Sequence, residues 1–429
     1  MKKIGFLACC AFLAFASFGC GPAKAPANEI EVWHWMTDRQ DALEALAGKY
    51  EQQTGIKVKL VLFAPSDAYT QKVLAAAQAG VLPDIFGILD KRAIVASFIK
   101  EGYVMDLAPA FRADGGAWEK SLSVKAVDNN RFTASNVYQV PAGIYGVPID
   151  VSNVQLIYNR ALLKKAGIVR PPATFEDLLK DVDALRRVGI SPLVTGFGEM
   201  WIVDCFASNY AFNILGEPKI MATFRGEVPY TDPEWVAVFN VFKTLAGRKA
   251  FIEGIVTKGN KYAEQDFALE RAAFSFDGSW AVNIYKSMNP NLDFGVMPLP
   301  AIKPATPMRV WGGAGSSFVV NNRSANRDKA VAFLRWLTAA PQQVYLSAQT
   351  NNLPSNCEVN AGVSRILGDF LKAMENATHP AVWELNEDPL VIETFDKGIQ
   401  AIIIGEKEPE QVARDVQAVK ARQMARQKK

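Results

Sequence analysis

Histidine is almost missing from this chain: only His34 and His379 occur in 429 residues, and they lie far apart. That counts against a His-rich metal centre and leaves little for Ser-His-Asp chemistry. No GxxxxGK[ST] pattern occurs, so nucleotide hydrolysis on a P-loop is not expected. Cysteine is scarce as well. Cys9, Cys10 and Cys20 sit in the first twenty residues, leaving Cys205 and Cys357, too few and too distant for a disulfide framework. They read as two separate buried thiols. Charge of one sign is also lacking: 47 basic against 44 acidic residues give a net +3, which is no footprint for nucleic acid. The basic cluster at 420–429 reads as the solvated, frayed end of a helix.

What is present is a long chain, 49% hydrophobic and 21% charged, with no low-complexity tract. Its length exceeds one ordinary core, so at least two domains are expected. The chain opens with a charged Met1-Lys2-Lys3 and an uncharged, mostly apolar run at 4–18. A membrane span needs about 20 such residues, so 1–19 reads as a secretory signal. Ala16-Ser17-Phe18-Gly19-Cys20 resembles a bacterial lipoprotein cleavage box with Cys20 as the lipid-bearing first mature residue. Cleavage near Ala25 or Ala27 is the alternative. Residues 20–28 then form a tether.

Further on, Ile30, Val32 and His34 alternate in a first strand, and Leu43, Leu46, Ala47 and Tyr50 follow at helical spacing up to Thr54-Gly55. A second strand carries Ile56, Val58, Leu60 and Leu62, a second helix runs over 68–79, and a buried run at 85–89 ends on Asp90. This β-α-β-α-β order predicts an α/β fold with a doubly wound sheet. The chain's centre is the stretch 273–322. An apolar strand at 273–276 ends on Asp277-Gly278-Ser279-Trp280, and a helix follows over 281–288. A turn at the carboxyl end of a strand is where open α/β sheets hold ligands. Glycine there lets the backbone approach a partner, and the indole offers a flat apolar face with one donor.

Three pieces occur in order: Gly278-Ser279-Trp280, then Met297-Pro298-Leu299-Pro300, then Gly312-Gly313 ahead of Ser317-Phe318-Val319-Val320. With the Trp-rich first strand, Thr54-Gly55-Ile56-Lys57-Val58 and Pro83-Asp84-Ile85, the chain resembles the sugar-type extracellular solute-binding proteins, the maltose-binding-protein-like family. The resemblance implies a two-lobed periplasmic-binding-protein fold, type II-like, each lobe a doubly wound sheet flanked by helices. It implies three inter-lobe crossings, near 145–154, 311–316 and 351–355, suited to a hinge that closes over a ligand. The first lobe would comprise 29–150 plus 312–352, and the second 151–311 plus 353–429. The implied function is capture of a mono- or oligosaccharide outside the cytoplasm for the membrane permease subunits of an ABC importer. No catalysis, no cofactor and no nucleic acid is expected, and the protein should be a monomer on a lipid anchor.

Sugars present C–H faces to aromatic rings and hydroxyls to carboxylates and amides, so a site needs both kinds of residue. Trp35, Asp38 and Arg39 follow the first strand; Ser66 and Asp67 follow the second, and Asp90 the third. Asn153 lies at the first crossing, and Trp201 after the turn Gly196-Phe197-Gly198-Glu199. Asp277 and Trp280 belong to the central turn, and Trp311 with Gly312 to the second crossing; Trp383 is an extra candidate. Core packing is the rival reading for each tryptophan, Trp33 included, and helix capping for Asp38, Asp67 and Asp277. Two other functions compete: a glycosidase using a carboxylate pair such as Asp150 and Asp277, and a binder of a polyol phosphate, polyamine, peptide or iron.

Overall fold

A computed structural model of the chain describes residues 28–64, 66–88, 92–136, 138–359 and 364–427. The signal, Cys20 and Asp90 lie outside the described residues, and so does the side chain of Asp67.

Alternation buries Ile30 and Val32 beneath Glu29–His34. The helix Gln40–Thr54 buries the stripe Leu43, Leu46, Ala47 and Tyr50, and Gly55 ends it in the left-handed region at φ 71°. Lys57–Leu62 then pairs parallel with Glu29–His34. After the helix Ser66–Ala79, Ile85–Ile88 pairs on the other side. Two strands from far along the chain complete this five-stranded sheet. Ser317–Val320 lies antiparallel to Ile85–Ile88, and Val147–Pro148 lies outside it.

The second lobe has a four-stranded sheet in the order Phe294–Met297, Val154–Asn159, Ala272–Gly278, Ser191–Val194. Every residue of Ala272–Gly278 is buried. The helix Phe175–Arg187 starts at a capping box, Thr174 with Asp177. Behind this sheet lies a large aromatic core. Trp383 belongs to it, fully buried with ring centroids 5.4 Å from Phe224 and 5.6 Å from Trp235. Its candidacy as a ligand contact is therefore corrected.

The basic tail needs correction too. Pro409–Gln427 is a helix, but Lys420 is buried, with its ammonium 2.7 and 2.8 Å from the two oxygens of Glu387 and 2.6 Å from the Phe224 carbonyl. A lysine read as solvated is buried because the helix turns that face onto the lobe. The thiols also differ from expectation. Neither forms a disulfide, and Cys205 is buried, but Cys357 is exposed because it follows the third crossing in a surface turn.

The chain passes between the lobes three times. Asp150–Val151 of the first passage pairs antiparallel with Leu353–Pro354 of the third, and Asn153 bridges to Gly312 of the second. Arg39 is buried where they meet. Its guanidinium forms an ion pair with Asp150 and donates to Ser316 Oγ at 3.2 Å and Asn352 Oδ1 at 3.0 Å. One side chain thus touches all three passages.

Candidate functional site

The second-lobe wall is built where Ala272–Gly278 turns into the helix Ala281–Met288. The Trp280 ring lies across Gly278, where any Cβ would collide with it, so the turn requires glycine. Trp201, at the start of the helix Met200–Leu215, packs beside it with ring centroids 5.8 Å apart at 54°. Both indole N–H groups are held by carboxylates: Trp201 Nε1 donates to Glu199 Oε2 at 2.8 Å, and Trp280 Nε1 to Glu264 Oε1 at 3.3 Å. That fixes the orientation of both rings.

The carboxylates are in turn held by the first turn of the helix Asn260–Ala268. Glu199 Oε1 accepts the Asn260 backbone N–H at 2.7 Å, a favourable place for an anion. Glu264 accepts from Asn260 Nδ2 at 3.0 Å and from Lys261 Nζ at 2.9 Å. Asp277 lies deeper still. It accepts from Gly278 N at 2.7 Å, from Tyr285 OH at 3.0 Å and from Asn260 Nδ2 at 3.3 Å. Burial, helped by the negative Glu264 nearby, pushes its carboxyl up to about 8. Burial raises Glu264 as well, while Lys261 draws it back. Glu199 and Glu264 thus hold the indoles, and Asp277 is tied to Glu264 through their shared donor Asn260.

On the first lobe, Trp35 is half-buried against Tyr69, centroids 5.3 Å apart, over Gly87, where a Cβ would strike its ring. Trp33 sits in the core, edge-on to Phe63 at 5.1 Å. Asp38 faces the second lobe. Burial opposes its charge, but Arg39 and the Asn352 amide, with Lys261 opposite, hold its carboxyl below the ordinary value.

The floor between the walls is made of the crossings. Ser279 N donates to Asn153 O at 3.1 Å, Val154 N to Trp311 O at 2.9 Å and Gly313 N to Ser152 O at 3.0 Å. Gly312, at φ 142°, abuts the Ser152 carbonyl so closely that a Cβ has no room. Asn153 is buried and its amide donates to Phe370 O at 2.9 Å. Both therefore serve the backbone of the hinge. At the other flank, Trp311 is buried edge-on to His379, centroids 4.8 Å apart. It lines a pocket shared by the lobes, with Ile88, Arg92 and Phe132 opposite and Glu384 beside it. Burial pushes the His379 imidazole down to about 4, which leaves it neutral at pH 7.

Of the residues expected from sequence, Trp201 and Trp280 pack together at the central turn above the buried Asp277, Asp38 bonds to Asn352 of the third crossing, Trp311 lines the pocket shared by the lobes, Trp35 packs on Tyr69 within the first lobe, and Arg39 is spent inside the hinge. Sequence reasoning missed Glu264, Asn260 and Lys261 as part of the site. A signal existed: Asn260 and Glu264 are four apart at the start of the helix feeding the central strand, and so share one face. Among the described residues no three His, Cys, Asp or Glu side chains are grouped to hold a metal ion.

Two lobes, each with its own sheet, joined by three crossings define the architecture of a two-lobed solute-binding protein. Residues 34–344 match the bacterial extracellular solute-binding protein family, and the chain belongs to that family. Members of the family are transport binding proteins. The chain is 24% identical to a maltooligosaccharide ABC transporter solute-binding lipoprotein of Streptococcus pneumoniae, covering 84% of this chain and 82% of that one. It is 22% identical to a maltodextrin-binding protein of Bacillus subtilis, covering 83% and 81%. Among solved structures, a chitin oligosaccharide binding protein superposes with a TM-score of 0.78 at 22% identity, covering 92% of this chain and 98% of that one. A maltose-bound protein of T. maritima gives 0.75 at 18% identity, covering 92% and 99%.

Proposed function

We propose that the chain captures an oligosaccharide between its lobes outside the cytoplasm and delivers it to the permease subunits of an ABC importer. The reading rests on the Trp201–Trp280 pair, whose N–H groups are already bound to Glu199 and Glu264. Rings so fixed stack on sugar faces, while Asp38 and Trp35 across the cleft supply an acceptor and a second platform. Trp311 adds a contact at the far flank. The names of the relatives, which bind maltodextrin, maltooligosaccharide or chitin oligosaccharide, favour the same class. The chain acts as a binder and not a catalyst. Of the carboxylates a glycosidase would need, Asp150 is buried against Arg39, and Asp277 is buried against Tyr285 and Asn260.

Trp280→Ala is expected to weaken binding by about 1–3 kcal/mol while most of the stability remains, as for other aromatic contacts at binding surfaces. Calorimetry after a thermal-shift screen of sugars, with a denaturant melt on the same variant, reads both. Unchanged affinity with a collapsed melt would make Trp280 structural. The mature chain is tethered by lipid on Cys20 as a monomer. Palmitate labelling is expected on the wild type and not on Cys20→Ala, and an unlabelled, membrane-bound wild type would refute the anchor.

A further inference from the structure

Outside the three crossings, a stretch of the first lobe reaches the second at two points. It begins with the helix Val124–Asn129, continues through the short strand Arg131–Phe132 and enters the loop bearing Asn136 and Tyr138. At its near end the Lys125 ammonium donates to three second-lobe carbonyls, Ala377 O at 2.7 Å, Met374 O at 3.3 Å and Glu375 O at 3.4 Å. The lysine stem lies against the second crossing, since a Cβ built on Gly313 would stand 3.2 Å from Lys125 Cδ. At its far end the Tyr138 hydroxyl donates to the Glu384 carbonyl at 3.2 Å.

Each partner of that far bond is held firmly by its own lobe. Phe132 is buried in the first-lobe core, with the Arg92 guanidinium 3.8 Å from its ring centre. The Tyr138 ring meets Phe132 edge-on, centroids 6.2 Å apart. Asn136 pins the loop: its Nδ2 donates to Thr133 O at 2.7 Å and Val140 O at 2.8 Å, and its Oδ1 accepts Val140 N at 3.2 Å. Opposite, Trp383 roots the helix Trp383–Asn386 in the second-lobe core, and Asn386 Nδ2 ties it to Pro380 O at 2.9 Å and Val382 O at 2.8 Å. That helix has only four residues, so the Glu384 carbonyl finds no amide within it and takes its donor from the other lobe. Arg92, Phe132 and Glu384 all line the pocket that the lobes share, so the bond joins the lobes beside it.

We propose that Tyr138 is a releasable latch on lobe closure. The near end of the stretch is gripped by a charged donor with three acceptors, whereas the far end rests on one neutral hydroxyl, the weaker kind of bond. The lobes therefore part at Tyr138 while Lys125 keeps its partners. The latch biases the ligand-free protein towards contact on this flank and slows release of a captured solute. The inference rests on capture between the lobes but on no particular solute.

The test compares the wild type with Tyr138→Phe, which keeps the ring on Phe132 and removes only the hydroxyl. Small-angle scattering without ligand should give the variant a larger radius of gyration than the wild type. Thermal melts close to each other would separate opening from a loosened fold, and an expanded variant that melts early would overturn the latch. Stopped-flow indole fluorescence with maltotetraose and chitotetraose reads release. Dissociation from Tyr138→Phe should be about three- to tenfold faster, as for loss of one neutral hydrogen bond, with association changed less than about twofold. An unchanged scattering curve overturns the proposal, and so does unchanged dissociation of a sugar that binds. If neither sugar binds, the carbohydrate reading fails for these two, and the ligand-free scattering still decides the latch.

Discussion

Lys420→Met is expected to lower the unfolding free energy by about 3–5 kcal/mol, the usual cost of removing one partner of a buried ion pair. The methionine keeps most of the stem's packing, so the loss comes from what stays behind. Glu387 is buried, and its two oxygens receive Lys420 at 2.7 and 2.8 Å, Tyr230 OH at 2.9 Å and Asp388 N at 2.8 Å. Burial pushes its carboxyl up and Lys420 draws it back, so without the lysine the acid is left in low dielectric with only neutral donors. Adding Glu387→Gln to Lys420→Met should restore most of the loss, because an amide needs no counter-charge. Urea melts of the single and double variants measure both. A loss below about 1 kcal/mol would put Lys420 back among solvated surface lysines.

Arg39→Ala has the second large effect expected, again about 3–5 kcal/mol, because it strands Asp150 and Asp38 together. Asp150 is almost fully buried, and Asp38 has only 14% of its side chain exposed. The substitution also removes the hydrogen bonds to Ser316 and Asn352. A double-mutant cycle with Asp150→Asn should show coupling of about 0.5–3 kcal/mol, as for groups in one ionic network. Had Arg39 been a ligand contact, the variant would lose affinity at unchanged stability. Melts and titrations on the same protein separate the two outcomes.

Much of the scaffold is legible without coordinates. The helix Ala281–Met288 and the capped helix Phe175–Arg187 follow from local periodicity and capping chemistry, which depend on neighbours a few residues away. The buried strand Ala272–Gly278 is legible for the same reason over 273–276, whereas its last two residues, Asp277 and Gly278, read as the turn that follows. Charged residues are where the reading breaks down. Arg39 looks like a rim group and Lys420 like a tail, because a basic residue in a sequence is solvated by default. Their partners, Asp150 and Glu387, are distant in sequence, and no local pattern announces them. Trp383 errs the same way: aromatic residues suit a cleft and a core equally, and only its contacts with Phe224 and Trp235 decide. Glu264 was passed over because its role lies in orienting Trp280.

In the first sheet, Ser317–Val320 sits between Ile85–Ile88 and Val147–Pro148, so one interior position is filled from far beyond the rest. A ribosome releases a chain from its amino end at about 5–20 residues per second. Until residue 320 has emerged, Ile85–Ile88 has no neighbour on that side and the sheet stays open. The core of the second lobe likewise waits for Trp383, Phe395 and the helix Pro409–Gln427. Neither lobe can therefore finish before most of the chain has been made, so each core is closed by segments that are synthesised last.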